Sequence, residues 1–202
     1  MKRPSLPIDA KLGAVAGIGI LSTAAVGAVA TLGAQAIDDK QATLGAIRDA
    51  RANVLRLDTR ASELKVDAYK AMLSEDPSAQ KADVADDVAK ATDLLGKLPP
   101  TSVLPADTAR AVAKLQEAFT AYFTQIDGLV DSAVADQDKA RAAYTEVQTA
   151  NDATDDAIGV VVETMDGDVV DAEAGLAGAV ASVKRTTIIS LALAILLLAG
   201  FA

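Results

Sequence analysis

The chain has 202 residues, a formal net charge of −9, no Cys, no His and no Trp, and only 3% aromatic residues. Without Cys there is no disulfide framework, thiolate metal site or thiol nucleophile, and without His the commonest general base and imidazole ligand is gone. The acidic balance makes nucleic acid a poor partner, because phosphate binding needs clustered cations.

The charge is unevenly placed. Residues 38–183 hold 14 basic and 27 acidic side chains, a net −13, whereas residues 1–11 carry Lys2, Arg3 and Lys11 against Asp9. A core of Ala, Val and Leu with few aromatics suits close-packed helices better than sheets, so the expected class is all-α.

Residues 1–11 are short and basic, with Pro4 and Pro7, and read as a flexible cytoplasmic tail whose positive charge lies on the inner side of a membrane. Residues 12–37 then run for 26 positions without a charge, roughly 39 Å of helix against a hydrocarbon core of ~30 Å. A cleaved secretion signal is the competing reading, since Ala34-Gln35-Ala36 resembles a cleavage site. The run is longer than the about 7–15 residues of a signal's apolar region, which favours a retained first transmembrane helix. Gly13-Ala-Val-Ala-Gly17 matches a close-packing pattern of membrane helices.

From Asp38 the pattern becomes amphipathic without a break. Heptad a and d positions read Ile47, Ala50, Val54, Leu57, Ala61, Leu64, Ala68 and Ala71, all apolar. No Pro intervenes between Pro7 and Pro77, so one helix is expected to continue to about Glu75. Asp76-Pro77 supplies a cap and a first-turn proline for the next, with the seam Val84, Val88, Ala91, Leu95, Leu98. Pro99-Pro100 ends it. Pro105 opens a third helix with the seam Val112, Leu115, Phe119, Tyr122, Ile126, Leu129, Ala133.

A further break is expected at Ala135-Asp-Gln-Asp138, on topology: two membrane ends meeting one surface require an even number of long helices. The last helix would run from about Lys139 with the lower seam Ile158, Val162, Met165, Val169, Ala172, Leu176, Ala179, Val183. Residues 186–202, TTIISLALAILLLAGFA, carry no charge and read as a second, truncated transmembrane helix. The organisation is therefore a tail (1–11), a first membrane helix (12–37), an extracytoplasmic up-and-down four-helix bundle (38–185) and a second membrane helix (186–202).

The outer helices would have about 39 and 47 soluble residues, roughly 58 and 70 Å, and the inner pair about 22 and 31, roughly 33 and 46 Å. The inner pair would thus cover only the distal part, and the membrane-proximal seams would favour a homodimer. Lys184-Arg185 would lie on the outer side, against the positive-inside bias, which weakens for long translocated loops.

Six arginines occur in the soluble part, and Arg48, Arg51, Arg56 and Arg60 fall within thirteen residues of its first helix. Arg51 and Arg60 flank the apolar seam; Arg48 and Arg56 point further out. Arg clamps carboxylate or phosphate bidentately, so Arg51, Arg56 and Arg60 are candidates for an anionic small ligand. Pairing with the many acids of the other helices is the alternative. Thr154 sits on the core stripe of the last helix between Ala150 and Ala157, beside Asn151 and Asp155. It is available to a ligand or to its own backbone carbonyl. Phe119, Tyr122 and Phe123 form the one aromatic cluster and suit core packing. Adjacent acid pairs at 38–39, 86–87 and 155–156 do not face each other on a helix. No Gly-rich phosphate loop is present, and a di-iron bundle would need His. No enzyme activity, cofactor or metal is expected.

The two anchors, the helical seams between them and the arginine-rich stretch RDARANVLRLDTRASEL at 48–64 together resemble the N-terminal part of a methyl-accepting chemotaxis protein, a bacterial chemoreceptor. Membrane histidine kinases and diguanylate cyclases use similar sensor bundles, and a non-signalling membrane-anchored bundle is a further alternative. The resemblance implies a cell-membrane protein with an extracytoplasmic sensor domain. A small ligand or a ligand-carrier protein would bind at a dimer interface touching the first and last helices. The last helix would then carry the signal through the second anchor to a HAMP linker and a kinase-controlling hairpin, both absent from these residues.

Overall fold

The computed structural model describes residues 7–201, and every regular element among them is helical, with no strand. Of the tail expected over residues 1–11, residues 1–6 lie outside the described residues, and the first helix, α1 (Ile8–Leu73), already begins behind Pro7. The fixed φ of proline suits a helix entry, and the Ala10 amide bonds the Pro7 carbonyl at 3.1 Å. With no later proline to interrupt it, α1 runs 66 residues. It stops where Ser74 and Asp76 turn the chain. The Ser74 hydroxyl accepts from the Asp76 amide at 3.1 Å, and the Asp76 carboxylate accepts from the Ser78 amide at 3.1 Å. A short 3-10 turn, Pro77–Ala79, leads into α2 (Gln80–Gly96). Pro99 and Pro100 close α2, and a second 3-10 turn, Thr101–Val103, precedes α3 (Ala106–Ala135), which Pro105 opens.

The break expected near residue 136 is present, but the last helix does not start at Lys139. Asp136 caps a six-residue helix, α4 (Gln137–Ala142), accepting from the Lys139 amide at 3.1 Å, and α5 (Tyr144–Phe201) follows after Ala143. The extra element has a structural task. Gln137 Nε2 donates to the Ala71 and Ser74 carbonyls at 3.1 and 2.5 Å, and Arg141 Nε to the Met72 carbonyl at 2.7 Å. These are among the carbonyls that the end of α1 leaves without helical partners.

The chain forms two compact units, one of residues 45–170 and one of residues 1–44 with 171–202. In the first, four helical segments each bury one face. Val54, Leu57 and Leu64 of α1, Val84 and Ala91 of α2, Leu115, Phe119 and Ile126 of α3, and Val147, Val161 and Met165 of α5 are all buried. Removing such a side chain from water is worth about 1.5–3 kcal/mol. The seams of α1 and α3 are those read from the sequence. Two others are rotated. In α2 the buried set is Val84, Asp87, Ala91 and Leu94, with Leu98 buried just beyond its end and Val88 and Leu95 only half-buried, and in α5 Val161 replaces Val162.

In the second unit, Leu44 is the one buried side chain among those described. Val26, Val29, Gly33 and Ile37 of α1 are half-buried, as are Ala172, Leu176, Ala179 and Val183 of α5. A Cβ placed on Gly33 would lie 2.6 Å from Val183 Cγ2, so the two backbones approach closely there. Each of the two helices has a stretch long and apolar enough to cross a membrane, and neither stretch is buried within the protein.

Candidate functional site

The four candidate residues do not form one site. Arg51 makes a two-pronged pair with Asp166 of α5, Nε to Oδ1 at 2.5 Å and Nη2 to Oδ2 at 3.2 Å. That hydrogen bond raises the guanidinium pKa further above its ordinary value. The pair is a link between helices in which both side chains keep solvent contact, so its worth is modest. Thr154 is wholly buried and donates to the Ala150 carbonyl at 2.9 Å, which spends its hydroxyl proton inside its own helix. Arg56 is exposed and reaches the Asn53 side chain at 3.4 Å. Arg60 lies between Glu63 and Asp87, with Asp87 Oδ1 at 3.4 Å.

Arg56 and Arg60 do share a surface: both line a shallow cavity of about 420 Å³ with Lys90, Asp93 and Leu94. Arg60 and Lys90 also line a larger cleft between α1 and α2, of about 500 Å³. This cleft is the most heavily charged recess among those described. Its walls hold three cations, Arg60, Lys70 and Lys90, and five carboxylates. It is net acidic, and its cations are already engaged. Lys70 Nζ meets Asp67 at 2.8 Å, and Lys90 Nζ meets Asp86 at 2.5 Å and Asp87 at 3.0 Å. Hydrogen bonds to these aspartates raise both ammonium pKa values. An incoming anion would have to displace these carboxylates, so the cleft is not built for the anionic ligand that the arginines suggested.

The heptad reading missed the two aspartates at the floor of the cleft. Asp67 and Asp87 are buried, and each is followed three residues on by its lysine. That spacing places the pair side by side on a helix, and its recurrence at 67–70 and 87–90 is the signal available in the sequence.

A second polar cluster also went unread. The Tyr122 hydroxyl donates to the Ala61 carbonyl at 2.8 Å and lies 3.5 Å from Asn151 Oδ1, while Asn151 Nδ2 donates to Asp155 at 2.6 Å. Tyr122 and Asn151 are buried, and burial pushes the phenol pKa up. The Phe119 and Phe123 rings meet at a tilt of 57°, 5.6 Å between centroids, and Phe119 is core. The chain of bonds joins α1, α3 and α5 and ties a tyrosine tip that would otherwise be an orphan.

Asp155 stands at the end of that chain. Burial and then the nearby Asp58 raise its pKa, while Lys65 and the Asn151 bond oppose them. A folded-state pKa above the unfolded one means that the native state holds the proton more tightly. The contribution is therefore fully favourable below the unfolded pKa and is lost as pH rises through the folded value. Asp155→Asn is expected to raise thermal stability at neutral pH, by no more than about 0.5 kcal/mol for so exposed a group, with the gain vanishing below pH ~4. Melting curves across that range check it; a gain that persists in acid contradicts the assignment.

Among the described residues no three His, Cys, Asp or Glu side chains are placed to hold a metal ion. Compared with known proteins, the chain matches no family model, no curated protein and no solved structure.

Proposed function

We propose that this chain is the sensing end of a two-pass membrane receptor of the chemoreceptor type. Residues 38–185 would be an up-and-down four-helix bundle outside the cytoplasm, held between membrane helices at 12–37 and 186–202. A ligand signal would leave through the second membrane helix toward a cytoplasmic output module. The observation that carries this reading is the exposed apolar surface at both ends of the chain. Ile20 and Leu21 of α1 are 71% and 72% exposed, and Leu196 of α5 is 67% exposed. Side chains of this kind left in water each forfeit about 1.5–3 kcal/mol, whereas a bilayer accepts them.

Two further features agree with it. The same two helices that carry the apolar stretches also contribute buried faces to unit 45–170, so a bilayer and a polar domain are served by continuous helices. Val170 and Val180 of α5 are exposed and give a second copy apolar surface to cover, which supports a homodimer.

The absence of Cys makes the topology directly measurable. Ser102, exposed in the loop between α2 and α3, is replaced by Cys and the cells are treated with a membrane-impermeant maleimide. The expected result is labelling of Ser102→Cys in intact spheroplasts, retention in the membrane through alkaline carbonate, and dimeric mass by light scattering in detergent. Release by carbonate rejects the membrane reading, labelling only after lysis reverses the topology, and a monomeric mass removes the dimer.

A further inference from the structure

A recess of about 540 Å³ opens between α1 and α5 in the unit of residues 1–44 and 171–202. Gly19, Thr23 and Gly27 line one wall, and Leu191, Ile195 and Leu198 the other. The Thr23 hydroxyl donates to the Gly19 carbonyl at 2.9 Å, so it offers no proton to an occupant. A Cβ added at Gly19 or Gly27 would meet nothing within 4 Å, whereas at Gly33 the Val183 side chain already fills the space. The recess is thus a gap beside a close helix crossing.

Two cations stand at one end of it. The Gly33–Val183 contact sets Lys184 and Arg185 level with residues 31–33 of α1, where α1 carries no charge. Both are exposed, and neither makes an ion pair among the described residues. Along the two helices the nearest carboxylates are Asp38, five residues past Gly33, and Glu173, ten before Val183. Those offsets are roughly 8 and 15 Å along the axis. Lys184 precedes Leu191 and Ile195 by seven and eleven residues, spacings that return to one face of a helix. It therefore sits on the flank of α5 that lines the recess, with Arg185 about 100° further round at the same level.

Depth and charge select the occupant. Measured from Lys184, the recess runs from Leu191, roughly 10 Å along the axis, to Leu198, roughly 21 Å along it. A headgroup layer is about 5–8 Å thick and the hydrocarbon of one leaflet about 15 Å. With the two cations among headgroups, where long basic side chains are at home, the recess falls within one leaflet, as a single acyl chain does. A helix from a second copy would instead need the apolar face to continue, and Lys184 interrupts it.

We propose that the recess and the Lys184–Arg185 pair bind one anionic phospholipid, its phosphate on the two cations and one acyl chain between α1 and α5. The inference rests on the membrane placement proposed above and adds to it a lipid of defined charge. Basic side chains beside a gap between membrane helices are suited to anionic headgroups.

The test counts lipids on the full chain in dodecylmaltoside by native mass spectrometry. The probes are dioleoyl phosphatidylglycerol, dioleoyl phosphatidylcholine and inorganic phosphate. The expected result is one saturable phosphatidylglycerol per chain, bound at least about tenfold more tightly than phosphatidylcholine and not displaced by inorganic phosphate. Lys184→Gln with Arg185→Gln, at exposed positions, is expected to remove that preference. Gly27→Leu places a side chain in open space and is expected to weaken phosphatidylglycerol about tenfold by taking the chain's contacts, with the oligomeric mass unchanged. Equal affinity for the two lipids, displacement by inorganic phosphate, or unchanged phosphatidylglycerol affinity in either variant overturns the assignment. Loss of dimeric mass in Gly27→Leu gives the recess to a second copy and overturns it as well. Release of the chain by alkaline carbonate rejects the membrane placement itself, whereas retention without a lipid preference rejects this site alone.

Discussion

Phe119→Ala is expected to cost about 3–5 kcal/mol of stability, the range for removing a fully buried aromatic ring. Phe119 is 0% exposed on α3 and belongs to a face whose other members, Leu115, Tyr122 and Ile126, are also buried. The neighbours come from long helices fixed by their own backbone bonds, so the site cannot collapse around the hole. Phe123 is the internal control. Its ring meets Phe119 in a tilted contact, 5.6 Å between centroids, but is only half-buried, so Phe123→Ala should cost roughly 1–2 kcal/mol, in the ordinary range for a partly covered side chain. Chemical unfolding followed by helix content measures both. Equal losses for the two variants would show that the α3 face is not the core of the 45–170 unit.

That face is also where the sequence was most legible. The 3-4 spacing of apolar residues from Val112 to Ala133 is unbroken, and Leu115 and Ile126 have polar neighbours on both sides, which fixes the phase. α1 was legible for the same reason. α2 was not, because Leu94 and Leu95 are adjacent and Val84, Ala91 and Leu98 belong to either phase. The structure settles it through charge. Asp87 turns inward because Arg60 and Lys90 reach it, and a paired carboxylate is far cheaper to bury than a lone one. In α5 three consecutive valines, Val160, Val161 and Val162, leave hydropathy without a preference.

The break at Ala143 had no local marker, neither Gly nor Pro. Its cause is tertiary, the side chains of Gln137 and Arg141 reaching the end of α1. The site residues were the least legible. Arginine density on α1 suggested an anion, but what an arginine does depends on which acids the fold sets opposite it. Here Asp166 and Asp87 take Arg51 and Arg60.

The second large effect is expected at Gly33. Of the described glycines it is the one at which an added Cβ meets a neighbour, 2.6 Å from Val183 Cγ2 and 2.7 Å from Cγ1. Neither atom can retreat far, since a β-branched side chain on a helix has essentially one rotamer. Gly33→Leu must therefore push α1 and α5 apart at this crossing, and overpacking of this kind costs about 1–3 kcal/mol. The helical preference of Leu over Gly, worth up to about 1 kcal/mol, offsets part of that cost, so the single variant alone is ambiguous.

A double-mutant cycle removes the ambiguity. Val183→Ala vacates the volume that the new side chain needs, so Gly33→Leu combined with Val183→Ala is expected to recover most of the loss, with a coupling of about 1–2 kcal/mol. Helix propensity alone would leave the two substitutions additive. Thermal unfolding of the four proteins in one detergent gives the coupling directly, and additivity within about 0.5 kcal/mol would mean that the crossing is not formed in the folded protein. If the chain transmits a signal through α5, this contact also limits how α5 can move. Gly33 and Val183 fix the separation of the two helices, so a substitution that widens it alters the position of α5 relative to α1 even with no ligand present. Gly33→Leu should then shift the resting output of the full receptor, and Val183→Ala should bring it back in the same proportion as it restores stability.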